Sequence, residues 1–247
     1  MEAKFSITIV FNNIPGKEGL KTGMGFSAWI TYNDKTILFD TGCDGTTLLY
    51  NIRQLGLNIQ QLDALMVSHN HWDHVYGIPD IIRNSGKMLN VYTPEPANRS
   101  LQIQNPSAQF VPVTEPIELL PGIMSTGCMR TSYNQLPLNE HSLIINHPAH
   151  IIVITGCSHP GIVNIVKKAK EATGNDKVLL TAGGFHLHRY SRQEITGFSD
   201  SLKSLNVEYI APSHCTGEEA IQCFKEEWGN QFVDLNLGQS YEHVFPT

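Results

Sequence analysis

The chain has 247 residues, of which 41% are hydrophobic and 16% charged, and this composition suits one large globular domain spanning 1–247. A formal net charge of −6 argues against a nucleic-acid partner, and no run approaches the about 18 consecutive apolar residues that a membrane span needs. Five widely spaced cysteines, with no Cys-x-x-Cys pair and no basic-then-apolar segment at the start, predict a reduced protein of the cytoplasm.

Strand and helix signals alternate in the first half of the chain. Runs rich in Val, Ile, Phe and Thr indicate strands, and apolar residues on one face followed by a glycine indicate helices. The predicted strands cover 5–11, 26–32, 35–40, 62–67 and 89–92, and the predicted helices cover 46–55 and 79–83. The glycine-rich segment 12–25 and the proline-rich segment 93–116 are expected to be irregular, and 93–116 to form a lid or wall of a pocket.

The second half repeats this alternation. Its predicted strands cover 142–146, 151–155, 178–181 and 207–211, and its predicted helices cover 162–172 and 193–205. The segment 128–139 is expected to be a third irregular wall of the pocket. Strands followed by helices in both halves predict two sheets packed together, with helices on the outside.

The most informative segment follows the predicted strand 62–67 and reads Ser-His-Asn-His-Trp-Asp-His over 68–74. It places four potential metal ligands, His69, His71, Asp73 and His74, within six positions. Burying such side chains without partners is costly, whereas a divalent cation would pair all of them. A cation bound there would also lower the pKa of a bound water to about 7. The segment therefore predicts a metal centre.

Four further predicted strand ends carry polar residues of ligand type: Asp40, His159, His186 and His214. A strand end is rigid while the loop after it is free to vary, so reactive groups collect at such positions. A turn-forming aspartate or a surface histidine would explain each residue taken singly. Their shared position at strand ends favours one common site.

These motifs resemble the metallo-β-lactamase superfamily. The resemblance rests on Leu-Phe-Asp-Thr-Gly at 38–42, on the His-x-His-x-Asp-His segment and on the later single histidines, and it extends over essentially the whole chain. It implies an α+β fold, a four-layer αββα sandwich with a metal site along one edge of the two sheets. Segments 155–162, 183–187 and 212–217 are similar to a narrower subfamily of dihydropteroate-synthase-like enzymes, of the 7,8-dihydropterin-6-yl-methyl-4-(β-D-ribofuranosyl)aminobenzene 5'-phosphate synthase type.

The resemblance also implies a ligand set for two divalent metal ions. The first metal would be held by His69, His71 and His159, and the second by Asp73, His74 and His214. Asp40 would lie beside the pair and orient ligands or contact the second metal. Zinc is the expected metal, and Mn, Fe and Ni are alternatives that imidazole and carboxylate ligands also accept.

One departure from the family pattern concerns the bridge between the metals. Many relatives supply a bridging aspartate where this chain reads Thr-Gly-Cys over 155–157. Three alternatives remain open: the Cys157 thiolate takes part, solvent alone bridges the metals, or the second metal binds weakly. The role of His186 is equally open between substrate contact, proton transfer and a replacement ligand. Asp73 and His186 are the candidate catalytic residues.

The function implied by the resemblance is a metal-dependent hydrolase in which a hydroxide shared by the metals attacks an ester, lactone or phosphoester. The subfamily adds a pterin-related transferase, in which the metals hold a diphosphate leaving group. A metal-dependent sensor with little turnover is the alternative from another class, and a di-iron redox protein is a third. We expect a small anionic substrate, attracted by basic residues in or near the loops, namely Lys17, Lys21, Arg99, Arg130 and Arg189. The oligomeric state cannot be read from the sequence.

Overall fold

Fifteen strands form most of the framework, which the computed structural model describes over residues 2–95 and 97–246. Met1, Pro96 and Thr247, which belong to the predicted domain 1–247, lie outside the described residues. The strands of the first half are β1 (Lys4–Asn12), β2 (Phe26–Tyr32), β3 (Lys35–Phe39), β4 (Ala64–Met66), β5 (Asn90–Pro94), β6 (Gln109–Val113) and β7 (Ile117–Leu120). Those of the second half are β8 (Ile123–Ser125), β9 (Met129–Tyr133), β10 (Leu136–Glu140), β11 (Leu143–Asn146), β12 (Ile151–Thr155), β13 (Val178–Gly184), β14 (Val207–Ser213) and β15 (Ser240–Val244).

These strands form two mixed sheets and one separate hairpin. The first sheet has the order β15-β1-β2-β3-β4-β5-β6, and its strands from β3 to β6 run parallel. The second has the order β14-β13-β12-β11-β8-β7, with β12, β13 and β14 parallel. Strands β9 and β10 pair only with each other.

Seven α-helices and three single 3₁₀ turns lie within the described residues. The helices are α1 (Gly45–Gln54), α2 (Trp72–Val75), α3 (Ile78–Ser85), α4 (Ala97–Gln104), α5 (Ile162–Thr173), α6 (Arg192–Ser204) and α7 (Glu218–Trp228), and the 3₁₀ turns are Ile59–Gln61, His214–Thr216 and Gly229–Gln231. Within the described ranges, none of these helices is long and apolar enough to cross a bilayer.

Three apolar clusters show how the elements are layered. One cluster fills the space between the two sheets, with residues such as Ile30 and Ile152 fully buried. A second packs α1, α3 and α4 on the outer face of the first sheet, and a third packs α5, α6 and α7 on the outer face of the second. Three buried interfaces separate four layers, which confirms the predicted α+β, four-layer αββα sandwich.

The prediction that 93–116 is irregular is wrong for most of that segment. It contains the end of β5, helix α4 and strand β6. Pro112 lies within β6 and still allows pairing with β5, because β6 is the outermost strand of its sheet and one side of it needs no hydrogen-bond partners. The segment therefore belongs to the framework.

The segment 128–139 also differs from the irregular wall predicted for it. It forms the β9–β10 hairpin, whose two turn residues, Asn134 and Gln135, both have positive φ angles of 48° and 66°. Such a two-residue turn matches the twist of the strands that it joins. The hairpin carries Tyr133 to its tip.

Candidate metal centre

The ends of five strands converge on one edge of the sandwich and bring the predicted residues together. Strand β3 ends before Asp40, and β4 ends before the segment 68–74. In the second sheet β12 leads to Cys157 and His159, and β13 leads to His186. His214 follows β14 directly. Strands β3 and β4 run parallel in the first sheet, and β12, β13 and β14 run parallel in the second, so the carboxyl ends within each sheet meet at the same edge.

The first predicted triad, His69, His71 and His159, is assembled in the structure. One ring nitrogen from each side chain lies within 4.8 Å of the others. The closest pair is Nε2 of His69 and Nδ1 of His71, at 3.0 Å. His69 is fully buried, and this burial, reinforced by the charges of the neighbouring histidines, lowers its pKa well below the ordinary value. A neutral imidazole is the form that binds metals.

The second predicted triad, Asp73, His74 and His214, is also assembled. Oδ2 of Asp73 lies 3.7 Å from Nε2 of His74 and 3.7 Å from Nε2 of His214. Both histidine side chains are almost completely buried, while the carboxylate reaches the cleft with 16% of its side chain exposed. The three donor atoms thus surround a single point.

Asp40 fixes the orientation of one histidine in each triad. Its Oδ2 accepts a hydrogen bond from Nδ1 of His74 at 2.7 Å and another from the Ser68 hydroxyl at 2.6 Å. Because Ser68 gives its single hydroxyl proton to Asp40, its oxygen accepts the Nδ1–H of His69, which lies 2.9 Å away. Both rings therefore carry their proton on Nδ1 and turn the Nε2 lone pair toward the centre.

Glu140, at the end of β10, does the same for His159. Its Oε2 accepts hydrogen bonds from Nδ1 and from the backbone N–H of His159, both at 2.8 Å. Its Oε1 accepts the backbone N–H groups of Cys157 and Ser158 at 3.1 and 2.7 Å. Burial opposes ionisation of this carboxyl, but the hydrogen bond and charge of His159 outweigh burial and lower its pKa. Sequence analysis missed Glu140, although it is a lone carboxylate directly before a predicted buried strand.

Asn13 orients His214. Its Oδ1 accepts the Nδ1–H of His214 at 2.6 Å, and its amide Nδ2 donates to the backbone carbonyl of the same residue at 3.3 Å, which fixes the direction of the amide. Nε2 of His214 is buried and has no hydrogen-bond partner within the described residues. A buried acceptor without a donor is unfavourable in the protein alone, and a divalent cation is the partner that it lacks. The residues therefore fit two divalent cations.

Cys157 lies between the two triads. Its Sγ is 3.3 Å from Nε2 of His74, and it lies within 4.8 Å of a ring nitrogen of His69, of His159 and of His214. The thiol is fully buried, and this burial raises its pKa well above the ordinary value. A coordinated cation would reverse this effect, because a coordinating thiol loses its proton.

The triads open into a cleft with a volume of about 480 Å³. His186 lines this cleft with a backbone φ of 53°, a left-handed conformation that is strained in a residue other than glycine. Burial and the nearby histidines lower the pKa of His186 to about 4, so the ring is neutral near pH 7.

Two of the three predicted pocket walls contribute to the cleft. Segment 12–25 supplies Asn13 and Met24, and segment 128–139 supplies Tyr133, whereas the described part of 93–116 supplies none of the lining residues. Among the described residues no lysine or arginine lines the cleft. None of the five predicted basic residues is therefore part of the described cleft wall, and attraction of an anionic substrate by them stays a prediction.

Comparison with known proteins places this geometry in a family. Residues 20–214 match the sequence profile of the Metallo-beta-lactamase superfamily. The chain is 30% identical to the 7,8-dihydropterin-6-methyl-4-(beta-D-ribofuranosyl)-aminobenzene-5'-phosphate synthase of Methanocaldococcus jannaschii, over 83% of either protein. It is also similar to the crystal structure of Tm1679, a metal-dependent hydrolase of the beta-lactamase superfamily, with a TM-score of 0.79 and 25% identity over 97% of this chain and 99% of that one. The fold of YhfI from Bacillus subtilis superimposes with a TM-score of 0.70 at 13% identity, over 97% of this chain and 100% of that one.

Proposed function

The chain belongs to the metallo-beta-lactamase superfamily, and on this premise we propose that it is a metal-dependent hydrolase whose two triads hold two divalent cations. One observation carries the proposal. The Nδ1 atoms of four histidines are each held by an oxygen acceptor, which turns their Nε2 atoms toward the centre, where they can bind metal. The four acceptors are Ser68, Asp40, Glu140 and Asn13. A set of purely structural histidines would not need this common orientation.

The reaction that fits this arrangement is hydrolysis of an ester, lactone or phosphoester. When bound, two divalent cations supply Lewis acidity for a developing oxyanion and lower the pKa of a water to about 7. Asp73 lies at the cleft with part of its carboxylate exposed and accepts the proton of the attacking water. His186 is neutral near pH 7 and lines the same cleft, where it forms a hydrogen bond with an oxygen of the substrate.

Cys157 would take the place of the missing aspartate, as a thiolate that helps to hold the metals. Its sulfur is near donor atoms of both triads, and the family resemblance implies that many relatives supply a carboxylate at the comparable turn. A thiolate beside imidazoles favours zinc or iron over manganese, since softer ligands select softer metals. We therefore propose zinc as the resident metal, with iron, nickel and manganese as alternatives.

Turnover of simple esters by the metal-loaded protein tests this function. Bis(4-nitrophenyl) phosphate, 4-nitrophenyl acetate and a γ-lactone cover the three substrate classes. We expect hydrolysis of at least one of them, and we expect His71→Ala to abolish it together with one metal equivalent. His243→Ala is the matched control, because this histidine is half-buried on β15 and belongs to neither triad. Unchanged turnover in His71→Ala would contradict the assignment.

A second candidate is a transferase that joins a dihydropterin diphosphate to an aminobenzene ribofuranosyl phosphate. It is favoured by one specific observation, the 30% identity over 83% of either chain to the synthase of M. jannaschii. In this reaction the cations would neutralise the diphosphate leaving group, and Asp73 would accept a proton from the attacking nucleophile. Incubating both compounds with the metal-loaded protein distinguishes the candidates: coupling of the two rings supports the transferase, and release of diphosphate alone supports the hydrolase. Tight binding without either product would point to the sensor.

A further inference from the structure

A second cavity, with a volume of about 580 Å³, lies directly beside the metal cleft. The two cavities share three lining side chains, Tyr133, His159 and His186. His159 belongs to the first triad, so the shared wall lies at the metal centre itself. A ligand in the second cavity is therefore next to whatever lies between the triads.

Aromatic side chains form part of the wall of the second cavity. Phe185 follows β13, Tyr190 lies just before α6, and Phe198 lies within α6. The rings of Tyr190 and Phe198 pack edge to face, with centroids 5.1 Å apart and planes at 87°. Tyr190 leaves 43% of its surface exposed, so its ring is accessible to a ligand. Such rings offer faces and edges to another planar ring.

Tyr133 connects the aromatic cavity to the metal cleft. Its ring centroid lies 4.9 Å from that of His71, 5.1 Å from that of His159 and 5.6 Å from that of His186. It comes from the tip of the β9–β10 hairpin, which pairs with neither sheet, so the packing of the two sheets does not require a ring there. Its position suits contact with a ligand that spans both cavities.

The described wall of the second cavity offers no cationic side chain to the organic part of a substrate. Among the described residues, neither cavity is lined by a lysine or an arginine. The affinity for that part would therefore come from ring packing and apolar contact, together with hydrogen bonds to uncharged residues such as Ser132 and Asn164. Each cavity volume falls within the about 300–1,000 Å³ of ordinary small-molecule sites.

We propose that the second cavity binds a planar aromatic ring of the substrate while an attached oxyanion group, such as a phosphoryl group, lies between the two triads. This inference rests on the proposed function and adds a substrate class to it, the phosphoryl or carboxyl derivatives of planar aromatic compounds. Contacts with the non-reacting ring orient the reacting group, and this is how binding energy remote from the chemistry serves catalysis.

Isothermal titration calorimetry with two phosphonates tests the inference on the zinc-loaded protein. 1-Naphthylmethylphosphonate carries both the ring and the anion, methylphosphonate carries the anion alone, and neither has a P–O ester bond to hydrolyse. We expect the naphthyl compound to bind about tenfold or more tightly, from ring packing and apolar burial. Tyr190→Ala should weaken its binding about five- to tenfold and leave methylphosphonate binding unchanged.

Tyr50→Ala is the matched control, since Tyr50 is a half-buried tyrosine of α1, on the outer face of the other sheet. It should change neither affinity. Equal affinities of the two phosphonates for the unaltered protein would overturn the inference, as would an equal loss for both in Tyr190→Ala. If zinc fails to bind, or if methylphosphonate does not bind at all, the proposed function itself has failed. Normal zinc and methylphosphonate binding without preference for the ring means that only the aromatic subsite is wrong.

Discussion

Replacing Glu140 with glutamine should weaken the first metal site without changing any predicted ligand. The carboxylate accepts four hydrogen bonds, two on each oxygen, and all four donors are N–H groups. A glutamine keeps one oxygen and presents an amino group in place of the other. If the oxygen stays with the backbone N–H groups of Cys157 and Ser158, the amino group faces the Nδ1–H of His159.

Two N–H donors would then face each other, and His159 can relieve this repulsion by changing its tautomer. Nδ1 of His159 would lose its proton and accept from the new amide, and the proton would move to Nε2, where it blocks metal binding. We expect the affinity for the first metal to fall about 10- to 100-fold. Two lost charge-assisted hydrogen bonds, at about 1.5–3 kcal/mol each, also predict a loss of about 3–6 kcal/mol in the free energy of unfolding.

Chelator competition, which measures the dissociation constant of each zinc ion, is the assay, and urea denaturation of the same samples gives the stability. Glu118→Gln is the matched control, because Glu118 is exposed on β7 and accepts a single backbone hydrogen bond from Gly122. This control should change neither quantity appreciably. A Glu140→Gln protein that binds two zinc ions within twofold of the original affinities would refute the role assigned to this carboxylate.

Three further predictions address stability, the bridging ligand and the packing around Asp40. His141 is fully buried, and burial lowers its pKa to about 4, so the unfolded chain binds the proton more readily than the folded one. The resulting stabilisation is present above about pH 6.5 and is lost as the pH falls toward 4, which lowers the free energy of unfolding by up to about 3 kcal/mol. In urea denaturation, His141→Gln should reduce this pH dependence. The Cys157→Ser variant should keep two metal equivalents, but its Co(II)-loaded form should lack the sulfur-to-metal charge-transfer band. Absence of that band in the unaltered protein would exclude thiolate ligation. Gly156→Ala should disrupt metal binding, since its Cβ would lie 2.1 Å from Oγ of Ser68. Gly197→Ala is the control, because Gly197 lies in α6 with open space around it; this variant should bind metal normally and gain about 0.5–1 kcal/mol in stability.

Much of the framework was predictable because most of its strands and helices carry strong periodic signals. The two sheets, their flanking helices and the convergence of Asp40, the segment 68–74 and the later histidines follow from the predicted strand ends. Helix α7 was not predicted, although its buried residues Ala220, Cys223, Phe224 and Trp228 have the i, i+3, i+4, i+8 spacing of an amphipathic helix. Strand β15 was not predicted, because it is an edge strand whose residues alternate only between half-buried and exposed.

The residues that orient the ligands could not be predicted in the same way. Glu140 and Asn13 act on histidines 19 and 201 positions away in the chain, and nothing in their local sequence indicates these contacts. A polar residue in a loop or hairpin is usually solvated, and only the tertiary fold shows that these two are hydrogen-bonded to ligands. Burial of Cys157 between the triads is likewise a tertiary property.

The most direct test of the central claim is an anomalous difference map from a crystal of the zinc-loaded protein, collected at the zinc absorption edge. We predict two peaks about 3.5–4 Å apart, each about 2.0–2.3 Å from the donor atoms of one triad. One peak should lie among His69, His71 and His159, and the other among Asp73, His74 and His214. A single peak, or peaks outside these triads, would contradict a dinuclear centre at this edge of the sandwich.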